Sequence, residues 1–382
     1  MSYPHRDELE AVIRQVAEAA RDYLADLDDR PVISPRVDDA NAALQRDLPE
    51  EGEGASAALE QLLRYAPDAA AASSGPRYFH FVVGGVTPAA LGADWFTTIL
   101  DQCAYTWVAS PLGVQLELVA LDWLRDVFGL PDDFSGIMTS GATMANYTAI
   151  SAARQWWGEQ HGVDVSDTGL AGLPQLDVYS SGHIHASMRK VMSMQGIGRN
   201  AIQTFSADAR GTLDVEALRR TLAARDGKPC ILVANAGEVN AGDFDRVDVM
   251  ADLAEQYNAW LHVDGAFGLF AAVSPRTKHL VDGVARADSV ITDGHKWLNV
   301  PYDCGFAFVR QPELLRQHFT YKADYLPGPD DPRPTIGSMA PESSRRARAL
   351  AVWATLQAYG RRGLREMVEG HLDLAQQLAR RI

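Results

Sequence analysis

A chain of 382 residues is longer than one ordinary hydrophobic core requires, which excludes a single small module such as one β-sandwich and points to a large catalytic domain with smaller appendages. Hydrophobic residues make up 47% and charged residues 22%, as in soluble proteins, and 35 Lys and Arg against 50 Asp and Glu leave a net charge of −15. A surface that negative repels phosphate backbones and anionic lipids, so neither nucleic acid nor membrane is expected as a partner.

In chain order, the start MSYPHRDELEAV lacks the basic and then apolar pattern of an export signal, and no run approaches the roughly eighteen apolar residues of a membrane span. Cys103, Cys230 and Cys304 are too few for a disulfide framework and too scattered for a zinc cluster, and they fit a reducing cytoplasm. Leu9, Val12, Ile13, Val16, Ala20, Tyr23 and Leu27 recur at helical spacing and predict an amphipathic helix over residues 6 to 28, ended by Pro31 and Pro35. Its apolar stripe needs a partner surface, either on its own domain or on another subunit. LPEEGEG (48–54) reads as an acidic loop.

From about residue 115, helices alternate with short apolar runs. Helices are predicted over 117–128, 142–157, 185–194, 214–224 and 245–257. Strands are predicted at GIMTS (136–140), LDVYS (176–180), CILVAN (230–235), AWLHVD (259–264), DSVITD (288–293) and CGFAFV (304–309). This alternation predicts an α/β fold with a mostly parallel central sheet covered by helices on both faces. LPGPDDPRPTIG (326–337) reads as a mobile loop and SSRRARALAVWATLQAYGRRGL, from Ser343, as a helix. Residues 364–382 read as an amphipathic segment that stops without a closing strand, so a C-terminal portion is expected to be missing. The organisation expected is an N-terminal helical segment (1–74), a large domain (75–325), and a loop with the start of a small C-terminal domain (326–382).

Ligands of such sheets bind beyond the carboxyl ends of the strands, so reactive side chains are sought there. In SGATMAN (140–146) a strand leaves through Gly141 into a helix, and the amides of Ala142 and Thr143 with the Thr143 hydroxyl form a candidate phosphate cup; small residues also simply permit a tight turn. Neither GxxxxGK[ST] nor GxGxxG follows a strand, which argues against nucleoside triphosphate and dinucleotide binding. Asp264, ending WLHVD, either needs a cationic partner or caps the following turn. TDGHKW (292–297) brings Asp293, His295 and Lys296 to another strand end, and Lys296 beside Trp297 is a candidate for carbonyl condensation, because desolvation lowers a lysine pKa. His183 and His185 in SSGHIHAS lack a third metal ligand, so a ring lying over a planar cofactor is the better use for one of them. A phosphate cup, a strand-end acid, a strand-end lysine and an imidazole are together what pyridoxal 5′-phosphate (PLP) requires.

With these residues the chain resembles the group II PLP-dependent amino-acid decarboxylases, which include aromatic-L-amino-acid, histidine and glutamate decarboxylases. The resemblance runs from about residue 75 to the end and rests on SPLGVQLELVALDWL (110–124), SGATMAN, HVDGAFG (262–268), DGHKWLNVPYDCG (293–305) and SRRARAL (344–350). It implies the fold of PLP-dependent transferases (fold type I) and a homodimer. It also implies Lys296 as the lysine that holds the cofactor aldehyde, with His295 before it as in the family, Asp264 as the partner of the pyridine nitrogen, and Ala142, Thr143 and Asp293 around the phosphate. His185 matches the histidine that stacks on the cofactor ring and Ala266 the small residue on its other face. YFHFVVGGVTPAA (78–90) resembles the stretch lining the substrate mouth, where His80, Phe81 and, from the partner subunit, Tyr105 are placed.

Three departures bear on the reaction. Glu238 stands where many relatives have threonine, Val83 stands where animal aromatic decarboxylases have threonine, and residues 326–343 contain none of the tyrosine that those relatives carry in the mobile loop. His185 is then the first candidate for the proton donor to Cα and Tyr325 the second. The activity expected is decarboxylation of an L-amino acid, aromatic favoured on account of Phe79, Phe81, Tyr105 and Trp107. An aldehyde synthase, a Cα–Cβ lyase and a non-catalytic binding protein on the same fold are the alternatives.

Overall fold

The computed structural model describes residues 8–321, 323–324, 326–328 and 330–382. It divides into two compact units, residues 1–85 and 86–382. The first contains α1 (Leu9–Ala25), α2 (Val37–Leu44) and α3 (Ala55–Ala69), with α3 packed against both others. The amphipathic stripe of α1 thus finds a surface within its own unit, although Leu9 and Ile13 stay more than half exposed. Asp68 of α3 ties down the turn before α2, accepting from Ser34 Oγ at 2.8 Å and pairing with Arg36 at 2.7 Å.

The second unit opens with α4 (Pro88–Leu100) and α5 (Pro111–Val127), each with proline in its first turn, where a missing amide costs nothing. There follow β1 (Ser135–Thr139), α6 (Ala142–Glu159), α7 (Val165–Thr168), β2 (Val178–Ser181), α8 (Ala186–Met194), β3 (Ile202–Phe205), α9 (Val215–Ala223), β4 (Cys230–Asn235), α10 (Val247–Gln256), β5 (Ala259–Asp264), β6 (Ser289–Asp293), β7 (Gly305–Val309), α11 (Pro312–Phe319) and α12 (Ala349–Ala379). The strands lie in the order β1-β7-β6-β5-β4-β2-β3, with β7 antiparallel to both neighbours and the other pairings parallel. This is the mostly parallel, helix-covered sheet expected.

Every residue of β4 and β5 is buried, because side chains alternate between two cores. Ile231 and Val233 face α6 and α8, whereas Leu232, Ala234, Leu261 and Val263 face α9, α10 and α12. β3 is missing from the sequence reading: Gln203 and Thr204 are exposed on this edge strand, so no apolar run marks it.

Two expectations for the C-terminal part change. Residues 343–348 are not helical; Arg345 runs beside residue 104, whose amide donates to its carbonyl, and its guanidinium is buried against Glu117 at 2.7 Å with further bonds to the carbonyls of Ala104 and Met138. The helix starts only at Ala349, once these arginines have met their partners, and it is broken at Gly360, where φ is +58°. The loop expected over 326–337 ends earlier than expected, since Ile336–Met339 is a buried turn and the Trp107 amide donates to the Pro334 carbonyl.

Candidate active site

The strand period and the parallel register assemble the site. On β5, Trp260, His262 and Asp264 alternate onto one face, and β6 lies alongside with Ser289 opposite His262 and Ile291 opposite Asp264. Because α6 crosses β5, β6, β7 and β1 on that face, its first two turns reach the ends of β5 and β6.

At the end of β6, the buried Asp293 collects three groups. Oδ1 accepts the Ala142 amide at 2.6 Å, while Oδ2 lies 3.0 Å from Lys296 Nζ and 3.5 Å from His295 Nε2. The Lys296 ammonium also sits 5.9 Å from the ring centre of Phe267. His295 stacks on Tyr302 with ring centres 4.2 Å apart, and its Nδ1 accepts the Cys304 amide, so the neutral ring carries its proton on Nε2, toward Asp293. Burial holds this imidazole below the usual histidine range against the opposing pull of Asp293.

Close backbone approach makes room for these contacts. A Cβ on Gly305 would meet the Gly141 Cα at 2.5 Å, and one on Gly141, where φ is +154°, would meet the His295 ring at 3.1 Å. With the Ala142 amide taken by Asp293, the amides of Thr143 and Met144 have no acceptor within the helix and stand at its positive end beside the Thr143 hydroxyl.

At the end of β5, Asp264 is buried and accepts twice, from Asn146 Nδ2 at 2.9 Å and from the Ala266 amide at 3.2 Å. The Ala266 carbonyl in turn accepts the Asp293 amide at 2.9 Å, locking the two strand ends together. An acid, a lysine, an imidazole N–H and helix-end amides with a hydroxyl are the donor set that PLP needs, and the glycine contacts leave the cradle lined by backbone, so the residues fit this cofactor. The Asp293 carboxylate organises the helix end through the Ala142 amide and balances Lys296.

The other expected residues lie differently. His185 is exposed at the N-terminus of α8, where its Nδ1 accepts the Ser187 amide and lies 2.7 Å from Ser187 Oγ. Tyr105 is buried, its carbonyl accepting the Gly337 amide and its ring 6.2 Å from that of Tyr321. His80 and Phe81 belong to the first unit, with rings 6.0 Å apart and Phe81 largely exposed at a φ of +60°. Tyr325 falls outside the described residues. Glu238 is buried and accepts the amides of Asn240, Ala241 and Gly242, with His183 Nδ1 at 3.9 Å. Burial works to raise the Glu238 pKa, yet these amide bonds and His183 outweigh it and hold the carboxyl below the usual range.

Sequence reasoning missed Asn146 and His262, although both stand inside the motifs singled out. The signal was available: His262 is a polar residue two before Asp264 in an otherwise apolar strand, and Asn146 lies one helical turn beyond Thr143.

Residues 39–382 match the family described as the pyridoxal-dependent decarboxylase conserved domain. The chain is 28% identical over 380 residues to an aromatic-L-amino-acid decarboxylase of Bacillus atrophaeus, covering 97% of this chain and 77% of that protein. It is 32% identical over 310 residues to an acidic amino acid decarboxylase of Mus musculus, covering 79% of this chain but only 56% of that protein. Among solved structures, mouse CSAD in apo form superposes with a TM-score of 0.88 at 26% identity, over 98% of this chain and 79% of that one. Oryza sativa TDC with PLP and tryptamine gives 0.86 at 25% identity, over 96% and 77%. Among the described residues no helix is long and apolar enough to cross a membrane.

Proposed function

This chain belongs to the pyridoxal-dependent decarboxylase family, carboxy-lyases that act on amino acids with pyridoxal 5′-phosphate, and from that premise we propose that it converts an aromatic L-amino acid to its amine and CO2. The observation that carries the assignment of roles is the pairing of two strand ends: Lys296 held by Asp293 on β6, and Asp264 held by Asn146 on β5.

The cofactor, when bound, supplies a carbonyl for the substrate amine and a ring that draws off the electrons left behind by CO2. Lys296 Nζ is the amine that anchors it, poised by Asp293 at 3.0 Å. Asp264 keeps a proton on the pyridine nitrogen, an assignment supported by its burial and by the two N–H donors that favour its ionised form. The Thr143 hydroxyl and the amides of Thr143 and Met144 hold the phosphate, His295 stands beside Asp293 at that end of the cofactor, and Ala266 leaves space on the ring face. His185 delivers the proton to Cα, a role its exposed ring at the start of α8 leaves it free to take.

The aromatic preference is supported by the cleft between Tyr105, Val108 and Tyr321, where the nearby Arg333 is already bound to Asp331 through two bonds of 2.8 and 2.6 Å and is not offered to an acidic substrate. Relatives on both sides of that choice are similar to this chain, so the substrate rests on this cleft. A homodimer is part of this reading as well, supported by exposed Trp95, Phe96 and Ile99 on α4. The test is a panel of amino acids with purified protein and PLP, following CO2, amine, ammonia and peroxide. Phe, Tyr, Trp or dihydroxyphenylalanine should release CO2 and amine faster than Glu or Asp. Preference for an acidic substrate overturns the aromatic assignment, ammonia with peroxide marks an aldehyde synthase, and no cofactor uptake marks a non-catalytic protein.

A further inference from the structure

Asp264 is the last acceptor of a buried chain of side chains that runs back across the sheet. Trp260 Nε1 donates to Ser289 Oγ at 2.9 Å, Ser289 Oγ lies 2.9 Å from His262 Nδ1, His262 Nε2 lies 2.8 Å from Asn146 Oδ1, and Asn146 Nδ2 donates to Asp264 Oδ2 at 2.9 Å. Trp260, Ser289, His262 and Asn146 are all buried to within 1% of completely.

The direction of every bond follows from the two ends. A carboxylate only accepts, so the amide nitrogen of Asn146 faces Asp264 and its oxygen faces His262. That oxygen only accepts too, so His262 carries its proton on Nε2. The indole N–H only donates, so Ser289 Oγ accepts from Trp260 and is left to donate its own proton to His262 Nδ1. The chain satisfies every member with a single arrangement, one in which His262 is neutral. Burial agrees, pushing the His262 pKa down to about 4 against the pull of Asp264. A cationic His262 would donate from Nδ1 as well, and the Ser289 hydroxyl would then have to turn its own proton away from the ring.

We infer that Asn146 is a positioning residue for the cofactor's ring nitrogen, relaying the one-way hydrogen-bond chain from Trp260 so that the Asp264 carboxyl group is held in one orientation. A neutral histidine two residues before the acid leaves the negative charge of Asp264 uncompensated within the chain, available to a cation presented from the cofactor side. The inference rests on the proposed partnership of Asp264 with the ring nitrogen.

The experiment has two parts. In the cofactor-free wild-type protein with 15N-labelled histidine, His262 should show a proton on Nε2 alone and stay neutral down to about pH 5; a proton on Nδ1 overturns the inference, and this arm does not depend on any variant folding. In the second part, wild type, Asn146→Ala and Asp264→Asn are loaded with PLP labelled with 15N in the ring. Asn146→Ala should bind PLP about tenfold to a hundredfold more weakly, the loss expected when a charge-assisted bond is removed. Its ring-nitrogen signal should move toward the unprotonated position, a change that loose packing alone would not cause. An unchanged ring-nitrogen signal in Asn146→Ala, with a shifted one in Asp264→Asn, overturns this inference and leaves the role of Asp264 standing. An unchanged signal in Asp264→Asn overturns the role of Asp264 itself.

Discussion

Two of the residues placed around the cofactor are held in opposite ways. Asp264 sits at the end of a fully buried strand, bonded by α6 and by its own turn, with a four-residue relay behind it. His185 is exposed and bonded only to Ser187, two residues away. Burial with two fixed donors holds the Asp264 carboxyl group in one direction. A group that passes a proton must meet a substrate that comes and goes, and a ring capping the first turn of a nine-residue helix has that freedom. In the proposed mechanism, the fold fixes the acid at the end of β5 in advance and leaves the proposed proton donor loosely tied.

The largest effect falls on the lysine that follows β6, held by Asp293. Lys296→Ala should abolish turnover and remove the bond that borohydride traps, as seen by mass spectrometry of the peptide; a labelled peptide elsewhere would move the anchor. Asp264→Asn comes next, with turnover lower by about a hundredfold to a thousandfold, as for loss of one fixed electrostatic partner. Unchanged turnover there would break the comparison on its rigid side. His185→Gln should slow amine formation by about tenfold to a hundredfold and divert product to aldehyde, while melting temperature stays within the range of exposed substitutions. Amine at the normal rate with no aldehyde would break the comparison on its loose side and move attention to Tyr325.

The smallest effect at neutral pH is on stability. His262 titrates near 6.5 when unfolded and at about 4 in the fold, so between those values the unfolded chain takes up a proton that the folded chain refuses. Its contribution is complete above pH 6.5 and is lost as pH falls toward 4, by up to about 3 kcal/mol. In His262→Gln, which retains a donor for Asn146, denaturant unfolding should show a shallower loss of stability over that window. Parallel curves for variant and wild type would remove His262 from the account of acid sensitivity.

Much of the architecture was readable along the chain. CILVAN and AWLHVD coincide with β4 and β5, because strands buried on both faces are mostly apolar along their length. The edge strand β3 was not readable, because half of it faces solvent. SRRARAL was read as helix on its composition, whereas Arg345 is drawn out of helical geometry by a buried carboxylate 228 positions earlier.

The motifs together with the family resemblance they carry pointed to Lys296, Asp264, His295, Ala142 and Thr143, since a strand end followed by a turn announces where a reactive side chain stands. What tertiary structure alone decided is the company these residues keep. Nothing local says that Asn146 reaches Asp264, that Asp293 takes the first amide of α6 and the ammonium of Lys296, or that His262 is neutral. Those facts depend on which helix crosses which strand and in what register, and hydrogen-bond direction is settled only when donors and acceptors from separate elements are buried together.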